Sequence, residues 1–205
     1  IIGINIMVAA REFARVVKTA ISEGIDLVVA GAGFSRDVFG LGKESGTPIV
    51  PIVSSVKLAK ISQRLGASAI VVEGKEAGGH LGTDTSVREL IPDIRKAVDI
   101  PVIAAGGVLT GQDIVDLIQM GANGVQMGSR FAASEESNAA PALKEFYLKA
   151  QPEDVVHEEA EGGLQLREIV RRERRATVVH GVDGLGGVEE VRDDDGRVHV
   201  VAHGL

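Results

Sequence analysis

His80 is the only histidine in the first 150 residues of this 205-residue chain. It lies in the stretch Glu73-Gly74-Lys75-Glu76-Ala77-Gly78-Gly79-His80-Leu81-Gly82. An imidazole with an ordinary pKa of about 6.5 can take or give a proton near neutral pH, or neutralise a developing negative charge. Glycines at 74, 78, 79 and 82 let the backbone turn sharply and approach a flat ligand closely. The same residues also suit a plain surface turn with a histidine in it, and spacing alone leaves both readings open. Two further elements carry donors. Ile103-Ala104-Ala105-Gly106-Gly107-Val108 and Val125-Gln126-Met127-Gly128-Ser129-Arg130-Phe131 both present backbone N–H groups with little side chain in the way. Ser129 adds a hydroxyl. Together they could bind a phosphate in a nest of amides, helped by the positive end of a helix. Tight loop packing without a ligand is the alternative. Arg130 could support the phosphate or make an outward salt bridge. Asn5 lies near the end of the first strand-like run, and its amide would point toward the same rim, where a polar ring edge could satisfy it.

The elements that must position these residues alternate regularly. Apolar runs suited to buried parallel strands are Ile1–Met7, Leu27–Ala30, Pro48–Val53, Ala69–Glu73, Val102–Ala105 and Gly124–Met127. Between them apolar residues recur at helical spacing, as at Phe13, Val16, Val17, Ala20 and Ile21, or at Ile114, Leu117 and Ile118. Gly24, Gly66 and Gly121 fall just after such segments, where a left-handed C-cap favours glycine. Alternation of this kind implies a parallel sheet covered by helices. Both an open doubly wound sheet and a (β/α)8 barrel fit. The glycines that follow the strands favour the barrel, whose C-terminal rim carries the site and whose last two strand ends often cradle a phosphate. The expectation is an α/β TIM (β/α)8 barrel, N-terminally truncated, with about six β/α units present and an irregular C-terminal tail.

Composition narrows the function classes. Glycine contributes 26 of 205 residues, about 13% against a usual 7%, and without a collagen period these glycines punctuate a fold. Cysteine is absent, which excludes thiolate catalysis, disulfide scaffolds and cysteine-ligated metals. No histidine–carboxylate spacing indicates a metal site. A net charge of −7 argues against nucleic acid as the main partner. No apolar run nears the roughly 20 residues needed to cross a bilayer, and no signal peptide is visible, so the expected location is cytoplasmic.

The chain changes character near residue 150. Residues 1–150 hold 15 basic and 16 acidic side chains, whereas residues 151–205 hold 7 and 13. All eight lysines lie in the first part, and four of the five histidines lie in the second. The division expected is a partial barrel over 1–156 and a charged, poorly packed tail over 157–205. Within the tail, Leu164–Val170 suits a short amphipathic helix and Val198–Ala202 a strand. The Arg171–Arg175 run reads as solvated surface, because acids outnumber it and no aromatics interleave it. His180, His199 and His203 read as exposed. A reading-frame change, or an appended native segment, would explain the abrupt shift.

Gly3-Ile4-Asn5-Ile6-Met7, the Glu73–Gly82 stretch, Pro101–Val108 and Gly124–Phe131 together resemble the nitronate monooxygenases, from residue 1 to about Val156. The Glu-Ala-Gly-Gly-His element is the most specific part. Flavin-dependent enoyl-ACP reductases share these elements. The resemblance implies an FMN-dependent barrel enzyme with His80 as the catalytic residue. It implies FMN-binding positions at Asn5, Glu73, Ala77, Gly106, Gly107, Gly128 and Ser129. Three departures are visible: serine replaces the usual threonine at 129, the family's first strand with its flavin-contacting Gly and Met is absent, and the tail does not resemble the lid-like helical continuation. The expected activity is oxidation of alkyl nitronates, a small-molecule substrate, with O2 consumed. NAD(P)H-dependent reduction of an enoyl thioester is the alternative. A non-catalytic phosphate-binding or assembly barrel is the reading from another class, and the assembly state is open, with a homodimer among the options.

Overall fold

The computed structural model describes residues 1–81, 83–151, 155–160, 164–169, 188–192 and 198–202. They form two compact units. The first comprises Ile1–Ala77 and Leu81–Met127, the second Gly78–His80 and Gly128–Leu205.

The first unit is built on six parallel strands: β1 (Gly3–Met7), β2 (Leu27–Gly31), β3 (Ile49–Val53), β4 (Ile70–Glu73), β6 (Val102–Ala105) and β7 (Gly124–Gln126). They pair in the order β1-β2-β3-β4-β6-β7. Every neighbouring pair is parallel. A doubly wound sheet reverses its strand order at a switch point. This sheet never reverses, so it is a curled section of a (β/α) barrel.

One consequence is a sheet with two different faces. Ile4 and Ile6, Val28 and Ala30, Ile49 and Val53, Ile70 and Val72, Val102 and Ala104, and Val125 belong to a single apolar cluster. Helices α1 (Phe13–Ser22), α2 (Asp37–Ser45), α3 (Val56–Leu65), α4 (Val87–Arg95) and α5 (Gly111–Gln119) cover this face. They contribute Phe13 and Val17, Val38 and Phe39, Ala59, Leu90, Ile91 and Ile94, and Leu117 to the same cluster. Ile91 and Ile94 are fully buried, each worth about 1.5–3 kcal/mol of transfer free energy. Alternate strand residues face away from the helices.

The helix ends follow local chemistry. Ser55 caps α3 by accepting from the Leu58 N–H at 3.3 Å. Thr110 and Asp113 form a capping box on α5. Gly24, Gly66 and Gly121 have φ of 82°, 98° and 110°, the left-handed conformation expected of helix stops. The spacing of Ile118 is helical as expected, yet this side chain is exposed, as is Val16 on α1.

Residues Gly128–Leu205 of the second unit hold α6 (Ser129–Ala132), α7 (Pro141–Lys149) and strands of two further sheets. Strands β5 (Gly79–Leu81), β9 (Leu164–Ile169) and β8 (Val155–Ala160) form one sheet in that order. β10 (Val188–Arg192) pairs with β11 (Val198–Ala202). The amphipathic helix expected at Leu164–Val170 is therefore a strand over Leu164–Ile169. Leu164 and Leu166 flank Gln165 with the two-residue period of a strand, and six antiparallel partners from Val155 to Ala160 reward it. Val198–Ala202 is the strand its sequence suggested, with His199 opposite Val191. The Arg171–Arg175 run, His180, His203 and the acidic Asp193–Asp195 run lie outside the described residues. No helix among the described residues is long and apolar enough to cross a membrane.

Candidate functional site

The site begins with the strand face that the helices leave uncovered. Its residues are Gly3, Asn5 and Met7 on β1, Leu27, Val29 and Gly31 on β2, and Val50 and Ile52 on β3. Val71 and Glu73 follow on β4, Ile103 and Ala105 on β6, and Gly124 and Gln126 on β7. Only three of these side chains are polar: Asn5, Glu73 and Gln126. The rest of the face is glycine and aliphatic residues, and mostly apolar linings with a few polar groups are the usual make-up of ligand sites.

Glu73 and Gln126 share one level of the sheet. Glu73 is aligned with Ala105, and Ala105 with Gln126. Asn5 lies on the same face, two residues before the end of β1 and aligned with Val29. Glu73 is half-buried, and loss of water around its carboxylate pushes its pKa from 4.5 up to about 7. Perturbed carboxyls of this kind concentrate at functional sites.

The loops that follow β4 and β6 are packed against each other. The Gly74 N–H donates to the Ala105 carbonyl at 3.1 Å, and the Ala77 N–H donates to the Gly74 carbonyl at 3.0 Å. Gly106 and Gly107 have φ of 100° and 68°. A Cβ on Gly106 would lie 2.8 Å from the Ala77 nitrogen, and one on Gly107 would lie 3.0 Å from the Glu76 Cβ. Left-handed backbone and close approach thus both require glycine here. The result is a glycine turn on the C-terminal side of the sheet. It leads into α5, whose N-terminus carries partial positive charge.

Of the residues singled out from sequence, Glu73, Ala77, Gly106 and Gly107 come together in the first unit. Asn5 joins them on the same face of the sheet. His80, Gly128 and Ser129 belong to the second unit. His80 is the middle residue of β5, so the stretch read as a rim loop contains a short strand. Gly82 lies outside the described residues. Gly128 is exposed, with open space around its α-carbon, and Ser129 opens α6. Among the described residues no cluster of histidine and carboxylate groups could hold a metal ion. Gln126 was not singled out from sequence. The signal for it is the two-residue period of β7, where Val125 packs into the apolar cluster and so turns Gln126 the other way.

The geometry agrees with what the chain resembles. A family profile described as nitronate monooxygenase matches residues 1–177. A probable nitronate monooxygenase of Staphylococcus aureus is 36% identical over 139 residues, 63% of this chain and 39% of that protein. A Rhodococcus jostii protein named as an octahydro-indene-carboxyl-CoA dehydrogenase is 33% identical over 146 residues, 71% of this chain and 41% of that protein. Among solved structures, FabK from Thermotoga maritima is similar with a TM-score of 0.78 and 38% identity, covering 82% of this chain and 53% of that one. A nitroalkane oxidase from Streptomyces ansochromogenes has a TM-score of 0.68 and 28% identity, covering 78% and 49%. The chain spans about two-fifths of the length of the curated relatives and about half that of the solved ones. On the match over residues 1–177, this chain belongs to the nitronate monooxygenase family.

Proposed function

We propose that this chain carries the flavin-binding rim of an oxidoreductase that uses FMN to oxidise alkyl nitronates. The observation that carries the reading is the strand face with Asn5, Glu73 and Gln126 as its only polar side chains, beside the Gly106-Gly107 turn, where a Cβ on Gly106 would collide with the Ala77 nitrogen. This arrangement fits a flat ring system with a phosphate at one end. The Gly106 and Gly107 amides would hold the phosphate; the family resemblance assigns flavin contacts to Gly128 and Ser129 as well. Asn5, Glu73, Gln126 and the Ala77 backbone would meet the polar edge of the ring. Glu73 with a pKa of about 7 can either accept a hydrogen bond as carboxylate or donate one as acid at neutral pH. FMN supplies the capacity to accept electrons, which no side chain of this chain offers.

His80 is the residue proposed to meet the substrate. A nitronate is an anion, so its oxygens need a donor or a cation, and protonated imidazole is both. As neutral imidazole the same residue would take a proton from a neutral nitroalkane. A small organic substrate, molecular oxygen and a cytoplasmic setting complete this reading.

A second reading is redox chemistry on a thioester, driven by NAD(P)H. It is favoured by the Rhodococcus relative, whose name places it on a carboxyl-CoA. One experiment separates the two. The chain is loaded with FMN and mixed anaerobically with propionate-3-nitronate or with NADH. Bleaching of the flavin's visible absorbance by the nitronate, lost in His80→Ala with FMN still bound, is the expected result. Bleaching by NADH alone favours the thioester reading, and failure to retain any flavin sinks both.

A further inference from the structure

The rim loops after β4 and β6 are joined by more than the close approach of glycines. The Glu76 carboxylate accepts from the Ser86 hydroxyl at 2.6 Å and from the Val87 N–H at 3.0 Å. Ser86 caps α4, its oxygen also accepting from the Arg88 N–H at 3.2 Å. The Arg88 guanidinium then spans to α5, donating to Asp113 at 2.9 Å and to Asp116 at 3.2 Å. The other oxygen of Asp113 accepts from the Leu109 and Thr110 N–H groups at 3.2 and 2.9 Å, and from the Thr110 hydroxyl at 2.8 Å. Leu109 stands four residues after Ala105, and the Ala105 carbonyl accepts from the N–H of Gly74, two residues before Glu76, at 3.1 Å. The contacts therefore close on themselves, running Glu76, Ser86, Arg88, Asp113 and Leu109, then along the chain to Ala105, across to Gly74 and along the chain back to Glu76.

We propose that Arg88 is a positioning residue that closes this ring, setting the β4–α4 and β6–α5 loops to one geometry and so setting the affinity for a phosphorylated flavin. The proposal rests on the flavin reading above for the identity of the ligand, but the ring itself does not depend on it. Arg88 is suited to the task because a planar guanidinium can meet two carboxylates at fixed angles, whereas a lysine ammonium is a single mobile point charge. Both carboxylates of the ring are held in their charged form. Burial works to raise the Glu76 pKa, but the hydrogen bonds from Ser86 and Val87 outweigh it and hold the group below its usual range. At Asp113 the Thr110 hydroxyl, the Thr110 and Leu109 amides and Arg88 lower the pKa together. Removing one member of a closed ring releases the others from a shared constraint, which an open pair would not do.

The distinguishing readout is loosening at a distance. Arg88→Ala is expected to speed amide hydrogen exchange at Leu109 and Thr110, which its partner Asp113 holds. It should also speed exchange at Lys75 to Ala77, on the other rim loop. Lys96→Ala breaks an ordinary exposed pair with Asp93 farther along the chain and should leave both loops unchanged. FMN affinity of Arg88→Ala is expected to fall about fivefold, with Arg88→Lys intermediate. Unchanged exchange at Lys75 to Ala77 would overturn the ring. Loosened loops with FMN affinity equal to that of the unaltered chain would overturn its positioning role. If the unaltered chain binds no FMN, the functional reading fails by itself, and the exchange data still decide whether the ring exists.

Discussion

Glu73 offers a sharp thermodynamic test, because a carboxylate forced into a half-buried position leaves a signature in stability against pH. Its folded pKa, about 7, lies above the 4.5 of an ordinary glutamate. Between those values the folded chain binds a proton that the unfolded chain has released. Stability must therefore fall as pH rises from about 4.5, and the loss is complete above about 8. Each pH unit of displacement is worth about 1.4 kcal/mol, so the rise from 4.5 to about 7 sets a cost of roughly 3 kcal/mol once the carboxylate is fully charged. Glu73→Gln keeps the shape and removes the charge. Urea unfolding should give nearly equal stabilities for the two chains at about pH 4, with the variant ahead by up to roughly 3 kcal/mol at about pH 9. The advantage should appear progressively across the window between the two pKa values. Parallel curves with a constant offset would refute the reasoning, since they would mean that Glu73 titrates alike in both states. An advantage at acid pH that shrinks as pH rises would refute it more severely, by reversing the sign.

Two further substitutions probe the scaffold. Gly106→Ala places a Cβ 2.8 Å from the Ala77 nitrogen at a φ of 100°, so thermal unfolding should show a loss of about 1–3 kcal/mol or more. Gly78→Ala, where nothing lies within 4 Å, should be nearly neutral, and equal losses at the two positions would contradict the steric account. Ile91→Ala empties a fully buried site on α4 and should cost about 2–5 kcal/mol by denaturant titration. A loss under about 1 kcal/mol would show that the α4 face is less tightly packed than its burial indicates.

The strands of the first unit were legible because buried parallel strands are nearly continuous apolar runs. The run Val102–Ala105 matches its strand to the residue, and the others match within two residues at either end. Helix stops were legible because a left-handed C-cap so strongly prefers glycine. Elements held by distant partners were harder to see. Leu164–Ile169 has an apolar pattern short enough to suit helix or strand, and only its pairing with Val155–Ala160 decides between them. β5 has three residues, too few for any periodicity to register. Gln126 sits in a quoted motif, but its importance rests on which face of β7 it occupies. Arg88 is bonded to carboxylates 25 and 28 positions away, and no spacing rule connects an arginine on one helix with carboxylates on the next.

The sequence alone determined the alternation of strand and helix, the positions where only glycine fits, and the residues able to do chemistry. These depend on local periodicity and on the backbone's own steric limits, which act over a few neighbours. Only the tertiary structure decided that the strands run in unbroken order without a switch point. It also decided that Asn5, Glu73 and Gln126 share the uncovered face, and that two rim loops are tied into one ring. Sheet order, burial and closed hydrogen-bond circuits are properties of residues brought together from across the chain. The raised pKa of Glu73 is the clearest case, because it comes from burial, which only the folded chain provides.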